Sequence, residues 1–78
     1  MSEKLYQIIS RVFNVDKSRI NDETTSENLE EWDSFNFYVL LDEIETEFDI
    51  KFDLDETLEI KNIGDFKKIL TKHGVEVN

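Results

Sequence analysis

The chain has 78 residues, of which 38% are hydrophobic, enough to form one domain with a modest core and to argue against intrinsic disorder. Its 19 acidic and 9 basic side chains give a formal net charge of -10, which disfavours binding to nucleic acid and anionic membranes and favours basic partners. Because the chain has no cysteine, disulfides, thiolate metal sites and side-chain thiol chemistry are excluded.

The first predicted element is an amphipathic helix close to the N-terminus. Apolar residues spaced by three and four positions form a single stripe on such a helix. Ser2 followed by Glu3 suits its start, since serine is a favoured cap and an acidic side chain favours the positive end of a helix. The stripe consists of Leu5, Ile8, Ile9, Val12 and Phe13.

The next segment, from Asp16 to Asp33, is polar and shows no sustained period. Three isolated apolar residues interrupt it, Ile20, Leu29 and Trp32, and we predict that they pin a long ordered loop to the core. A loop of this length is uncommon in so small a domain and is usually functional or disordered. The pinning residues favour a functional loop.

A second helix is predicted from Ser34 to about Phe48 or Asp49. Asp33 and Ser34 are both favoured helix caps, and the apolar residues that follow return every three or four positions. We expect Tyr38 to pack mainly in the core, as most aromatic side chains of small helical domains do. The predicted core face consists of Phe37, Leu40, Leu41, Ile44 and Phe48.

The chain is then predicted to be briefly extended around Phe48, Ile50 and Phe52, before a short helical turn from Asp55 to Glu59. The many carboxylates of this region are interpreted as a solvated acidic face. They offer hard oxygen ligands, but the central glycine and the spacing of a calcium loop are absent, so we predict no dedicated metal site. The acidic run consists of Asp49, Asp53, Asp55, Glu56 and Glu59.

The last predicted helix begins after Asn62, a favoured N-cap, and stops at Gly74, just after Lys72 and His73. The tail, residues 75–78, is expected to be loose. The apolar stripe of this helix consists of Ile63, Phe66, Ile69 and Leu70.

These elements predict an all-α fold in a single domain, residues 1–78: a small antiparallel four-helix bundle with three main helices, one short helix and a long first loop. The start of the chain lacks the apolar core and cleavage site of a signal peptide, and no stretch approaches the roughly 18 apolar residues of a membrane span. We therefore expect a cytoplasmic monomer that binds neither membranes nor nucleic acid.

Ser34 is a poor candidate for a catalytic nucleophile. A serine hydroxyl needs a base and oxyanion donors, and the only histidine, His73, lies near the end of the chain. Glycine-rich phosphate loops are absent, so nucleotide binding has no support. Paired carboxylates for acid-base catalysis stay open, although chance alone would produce pairs in so acidic a chain. Residue statistics by themselves favour a helix cap at Ser34.

The segment LEEWDSFNFYVLLDEIETEFDIKF, residues 29–52, resembles the acyl carrier proteins, and the helix order, length and acidic balance extend the likeness over nearly the whole chain. The resemblance implies that Ser34 of the Asp33-Ser34 motif carries a 4'-phosphopantetheine arm, whose terminal thiol holds acyl groups as thioesters. Two positions depart from the common pattern: Glu31 stands where the family often has glycine, and Phe35 where it has leucine, isoleucine or methionine.

The second helix is also expected to present a docking surface. Its spacing places acidic side chains outward, and Phe35 and Val39 should form a small apolar patch beside Ser34. The alternative is that Phe35 tucks under the loop with Trp32. Because carriers use the residue after the serine in docking, the resemblance favours partner contact. The predicted contact residues are Phe35, Asn36, Val39, Asp42, Glu43, Glu45 and Thr46.

The resemblance implies a non-catalytic, stand-alone acyl carrier protein of fatty acid or polyketide biosynthesis. Its implied partners are a phosphopantetheinyl transferase and acyl- or aminoacyl-transferring enzymes with basic docking surfaces. Two alternatives stay open: an aminoacyl or peptidyl carrier that works with an adenylating ligase, and a small acidic helical adaptor with an unmodified Ser34.

Overall fold

A computed structural model describes residues 3–76. The expected cap at Ser2 and the last two residues of the predicted tail lie outside this range. The elements, in order, are helix α1 (Glu3–Phe13), a single 3-10 turn (Lys17–Arg19), and helices α2 (Ser34–Phe48), α3 (Leu54–Glu59) and α4 (Ile63–Lys72). The all-α class and the small bundle of three longer helices and one short helix are confirmed.

Helices α1, α2 and α4, the first loop and the segments that flank α3 contribute to one core. Helix α1 packs against α2, and the ring of Phe66 on α4 lies at the centre of an aromatic cluster. Its centroid is 6.4 Å from that of Trp32, 6.1 Å from that of Phe37 and 6.3 Å from that of Phe52. Aromatic pairs at such separations add specific packing energy to the apolar area that they bury. The first loop, α2, α4 and the segment between α2 and α3 are thereby joined at one point.

The three predicted loop anchors, Ile20, Leu29 and Trp32, are all buried. The loop also binds the start of α4, where Ile63 N-H donates to Thr24 and Gly64 N-H donates to the backbone carbonyl of Asp22. A Cβ atom at position 64 would lie only 3.2 Å from that carbonyl oxygen, so glycine allows the close approach. The long loop is therefore an ordered part of the bundle, as predicted.

The helix ends follow the capping residues in the sequence. Asn62 and Asp65 form a reciprocal capping box at the start of α4. Gly74, whose φ of 84° lies in the left-handed region, ends helix α4, as predicted. Immediately beyond it, the Val75 N-H donates to the Leu70 carbonyl and the Val75 side chain packs on the core, although this position was expected to belong to a loose tail.

Two expectations about individual side chains are wrong. Tyr38 was expected in the core, but its side chain is 68% exposed. Glu56 was expected on a solvated acidic face, but it is only 4% exposed. The burial pattern of helix α3 is the reverse of that of an ordinary surface helix. Glu56 and the following Ile60 are buried, whereas Leu54 and Leu58 are mostly exposed. None of the helices in residues 3–76 combines the length and apolar character needed to cross a membrane.

Candidate functional site

The candidate site is the first turn of α2. Asp33 has an extended backbone, and its side chain accepts the N-H of Asn36 at 2.8 Å, so Asp33 is the N-cap. Ser34 is the first helical residue and is exposed. The cap and the candidate attachment residue are therefore two different side chains, and the Ser34 hydroxyl is not needed to start the helix.

The first turn of α2 is suited to an anion attached at Ser34. Phe37 N-H donates to the backbone carbonyl of Asp33, and the Asp33 side chain accepts from Asn36. The N-H groups of Ser34 and Phe35 come before the first intrahelical hydrogen bonds of α2, so they are free to bind a negative group. The positive end of the helix dipole adds to the attraction.

A brace behind the site holds the loop to the start of α2. The Asn36 side-chain amide donates to the backbone carbonyl of Glu31 at 2.9 Å. The Glu31 carboxylate accepts from both terminal nitrogens of Arg19, at 3.2 and 3.4 Å. Hydrogen bonds from its own backbone and from Arg19 lower the pKa of Glu31. This pairing reduces the repulsion between Glu31 and an anion at Ser34.

The side chains beside Ser34 include two large exposed aromatics. Phe35 is 76% exposed, so it does not tuck under the loop with Trp32. Tyr38, three residues further along, is also exposed, and Val39 is half-buried beside them. The predicted apolar patch is therefore present and larger than expected. The sequence contained a signal for it: α2 has apolar residues at six of positions 35–41, more than one buried stripe can use.

The other residues predicted for partner contact differ in how available they are. Asp42 and Thr46 are exposed. Glu43 is paired with Arg11 at 3.2 Å, and Glu45 accepts the backbone N-H of Phe52 at 2.8 Å. Asn36 is half-buried, and its side-chain amide is hydrogen-bonded to the Glu31 carbonyl. The outer face of α2 is thus less uniformly available than its sequence suggested.

A charge cluster that the sequence did not indicate surrounds the buried carboxylate of Glu56 and joins α3 to the end of α4. Nε2 of His73 lies 3.0 Å from both carboxylate oxygens of Glu56, and Lys72 Nζ lies 3.3 Å from one of them. Glu56 also accepts the N-H of Asp53 in a capping box. Hydrogen bonding from His73, aided by Asp53 and Lys72, lowers the pKa of Glu56 to about 2 despite its burial. His73 is therefore held at Glu56.

Over residues 3–76, no group of three or more histidine, aspartate and glutamate side chains is arranged to hold a metal ion. The acidic character of the chain is spread instead over capping carboxylates and separate surface ion pairs.

Comparison with known proteins identifies the family. A model of the family described as the phosphopantetheine attachment site matches residues 3–70. The chain belongs to the acyl carrier protein family. A solved structure from Mycobacterium tuberculosis, provisionally described as an acyl carrier protein, is similar to it, with a TM-score of 0.82 and 25% identity over 92% of this chain and 96% of that chain. A search of curated proteins found no match.

This chain is thus a phosphopantetheine carrier protein, and its cofactor is 4'-phosphopantetheine. When bound, that group supplies a terminal thiol that holds a carried group as a thioester. The geometry at the start of α2 fits it, because an exposed hydroxyl stands at a helix N-terminus with two free N-H donors suited to the negative phosphodiester. The chain itself has no cysteine, so no side-chain thiol competes for the carried group.

Proposed function

We propose that this carrier protein is modified on Ser34 and presents acyl intermediates to partner enzymes without catalysing a reaction itself. One observation carries the proposal: an exposed serine stands at the first position of α2, directly after an aspartate that already caps the helix. The cap leaves the serine hydroxyl free for a covalent bond. Domains of this family work with a phosphopantetheinyl transferase and with acyl-handling enzymes.

A non-catalytic role is supported by where the single histidine lies. His73 contacts Glu56 at the junction of α3 and α4, and its ring packs edge-on against Phe52. A base that activates a serine must lie within hydrogen-bond distance of its hydroxyl. A histidine engaged in this way does not supply a base at Ser34.

The test is incubation of the protein with coenzyme A and a phosphopantetheinyl transferase, followed by intact-mass measurement. We expect one phosphopantetheine to be added, and peptide mapping to locate it on Ser34. A protein that stays unmodified under conditions that load another carrier would contradict the proposal and favour an unmodified adaptor.

The cargo is proposed to be an acyl group, because the similar solved structure is described as an acyl carrier. An aminoacyl or peptidyl carrier shares the same attachment chemistry. Release of the thioester-bound group from protein purified from its source cells, followed by mass spectrometry, separates the two. An amino acid on the arm would replace the acyl proposal and leave the attachment site unchanged.

The partner surface is proposed to be the outer face of α2 next to Ser34. Its centre is the apolar patch of Phe35, Tyr38 and Val39, and Asp42 and Thr46 continue it along the helix. An exposed aromatic anchor surrounded by charge is typical of protein interaction sites. With a net charge of -10, electrostatic attraction should favour enzymes that present a basic surface. Glu43 and Glu45 contribute charge from positions where they also bind Arg11 and the Phe52 backbone.

Phe35→Ser is expected to raise the KM of the transferase for this carrier by about tenfold, which corresponds to ~1.4 kcal/mol of docking free energy. The physical reason is loss of the largest apolar contact next to the modified residue. The measurement is the initial rate of loading at increasing carrier concentration.

Leu54→Ser is the matched control, because Leu54 is exposed to almost the same degree, 74% against 76%, but lies on α3. Its KM should stay within about twofold of the wild-type value. An unchanged KM for Phe35→Ser would remove Phe35 from the docking surface.

A further inference from the structure

An open cleft lies beside Ser34, on the side where the loop meets the start of α2. Its volume is about 370 Å³, and it is lined by Ser26, Trp32, Asp33, Ser34 and Phe37. That volume is at the lower end of the range of roughly 300–1,000 Å³ found for small-molecule sites. The cleft therefore has room for a slender group attached at its edge.

The apolar wall of the cleft is held in place from behind. The rings of Trp32 and Phe37 lie nearly parallel, with centroids 6.1 Å apart and an angle of 15° between their planes. Trp32 also packs against Phe13 at 5.8 Å, and both Trp32 and Phe37 pack against Phe66. The side chains of this wall are therefore preorganised, and a ligand that binds there pays a smaller entropic cost for ordering them.

The rim of the cleft is polar. Ser26 and Asp33 are exposed, and they offer a hydroxyl and a carboxylate next to the aromatic wall. A site of this kind suits a ligand that combines apolar branches with hydroxyl and amide groups.

The phosphopantetheine arm has this combination: a phosphodiester, then two geminal methyl groups and a hydroxyl, then two amides and the thiol. We propose that the proximal part of the arm rests in this cleft, with its geminal methyls against Trp32 and Phe37 and its hydroxyl and first amide at Ser26 and Asp33. The inference rests on the proposed attachment at Ser34.

Attachment at the edge of the cleft makes such a contact effective even when it is weak. A group on a short tether reaches an effective concentration on the order of millimolar or higher, so binding does not require high affinity. A weak contact also releases the arm readily when a partner enzyme competes for it. The cleft thus gives the arm a preferred resting position on the loop side of α2.

The experiment uses protein that is fully loaded by intact mass and labelled for NMR. Because the chain contains a single tryptophan, the indole signal belongs to Trp32. We expect nuclear Overhauser effects from the geminal methyls of the arm to the Trp32 and Phe37 rings, and a shift of the Trp32 indole signal between the unloaded and loaded forms. Full loading without these effects and without the indole shift would overturn the resting position but leave attachment at Ser34 intact. Failure to load would overturn both.

Ser26→Phe should fill the cleft, with loss of the methyl-to-indole effect. Ser18→Phe is the control, because Ser18 is another exposed serine of the first connection and is not part of the lining. The effect should persist in this variant. Melting temperatures of both variants establish that they are folded, and the wild-type measurement decides the question if either is not. Persistence of the effect in folded Ser26→Phe would overturn the assignment of this cleft.

Discussion

Ser34→Ala is expected to abolish phosphopantetheine loading while leaving the fold intact. The hydroxyl oxygen is the proposed point of attachment, and no other group at the first helical position can form the phosphodiester. The stability of the variant should stay within about 0.5 kcal/mol of wild type, because Asp33 rather than Ser34 caps α2 and alanine is a good helix former. Intact mass after incubation with transferase and coenzyme A measures the first effect, and thermal unfolding measures the second.

Two controls separate attachment from capping. Ser18→Ala removes an exposed hydroxyl elsewhere and should load fully. Asp33→Ala removes the side chain that accepts the Asn36 N-H and should lower the free energy of unfolding by ~1 kcal/mol. Full loading of Ser34→Ala would place the arm on a different residue, and a large loss of its stability would return the capping role to Ser34.

Glu56→Gln is expected to lower the free energy of unfolding by about 2 kcal/mol at pH 7, which in a domain of this size corresponds to a drop of roughly 10 °C in melting temperature. The substitution keeps the size of the side chain but removes the charge that binds His73 and Lys72 in a buried position. Chemical denaturation at constant ionic strength measures the difference.

The effect of Glu56→Gln should depend on pH. Because the folded protein lowers the pKa of Glu56 from 4.5 to about 2, the unfolded chain binds the proton more readily. The stability contributed by this carboxylate is therefore complete above about pH 5 and is lost as the pH falls through 4.5 toward 2. The difference between wild type and Glu56→Gln should shrink over that interval. A constant difference from pH 7 to pH 2 would show that the charge of Glu56 is not the cause.

Glu59→Gln is the matched control. Glu59 lies on the same short helix but is exposed, and an exposed charge contributes little to stability. Its melting curve should follow that of the wild type. An equal loss in both variants would indicate that the effect comes from the charge of α3 as a whole rather than from the contact with His73.

Much of the fold could be predicted because local signals agree with it. The apolar stripe of α1, the cap at Asn62 and the helix end at Gly74 each depend on a few neighbouring residues, and the structure confirms all three. The loop was predictable for another reason. Burying an isolated apolar side chain of a polar segment in the core removes it from water and is favourable, and Trp32 is buried in this way.

Helix α3 was not predictable in the same way. Its apolar residues Leu54 and Leu58 are exposed and its Glu56 is buried, the reverse of an ordinary surface helix. Only six residues long, α3 has too few side chains for periodicity to fix which face turns inward. In the structure the buried Glu56 is paired with His73 and Lys72, which lie well over ten positions later in the chain. No local pattern reveals that pairing.

The start of α2 shows both kinds of information. By itself the sequence determined that a helix begins at the Asp33-Ser34 pair, that the chain is acidic and without a thiol, and that its motif resembles those of carrier proteins. The structure shows that Asp33 is the cap, through a local 2.8 Å hydrogen bond that its side chain accepts from the N-H of Asn36. Whether Phe35 packs under the loop was decided only by the tertiary structure, because Trp32 packs against Phe13, Phe37 and Phe66 from distant parts of the chain, whereas Phe35 is left 76% exposed.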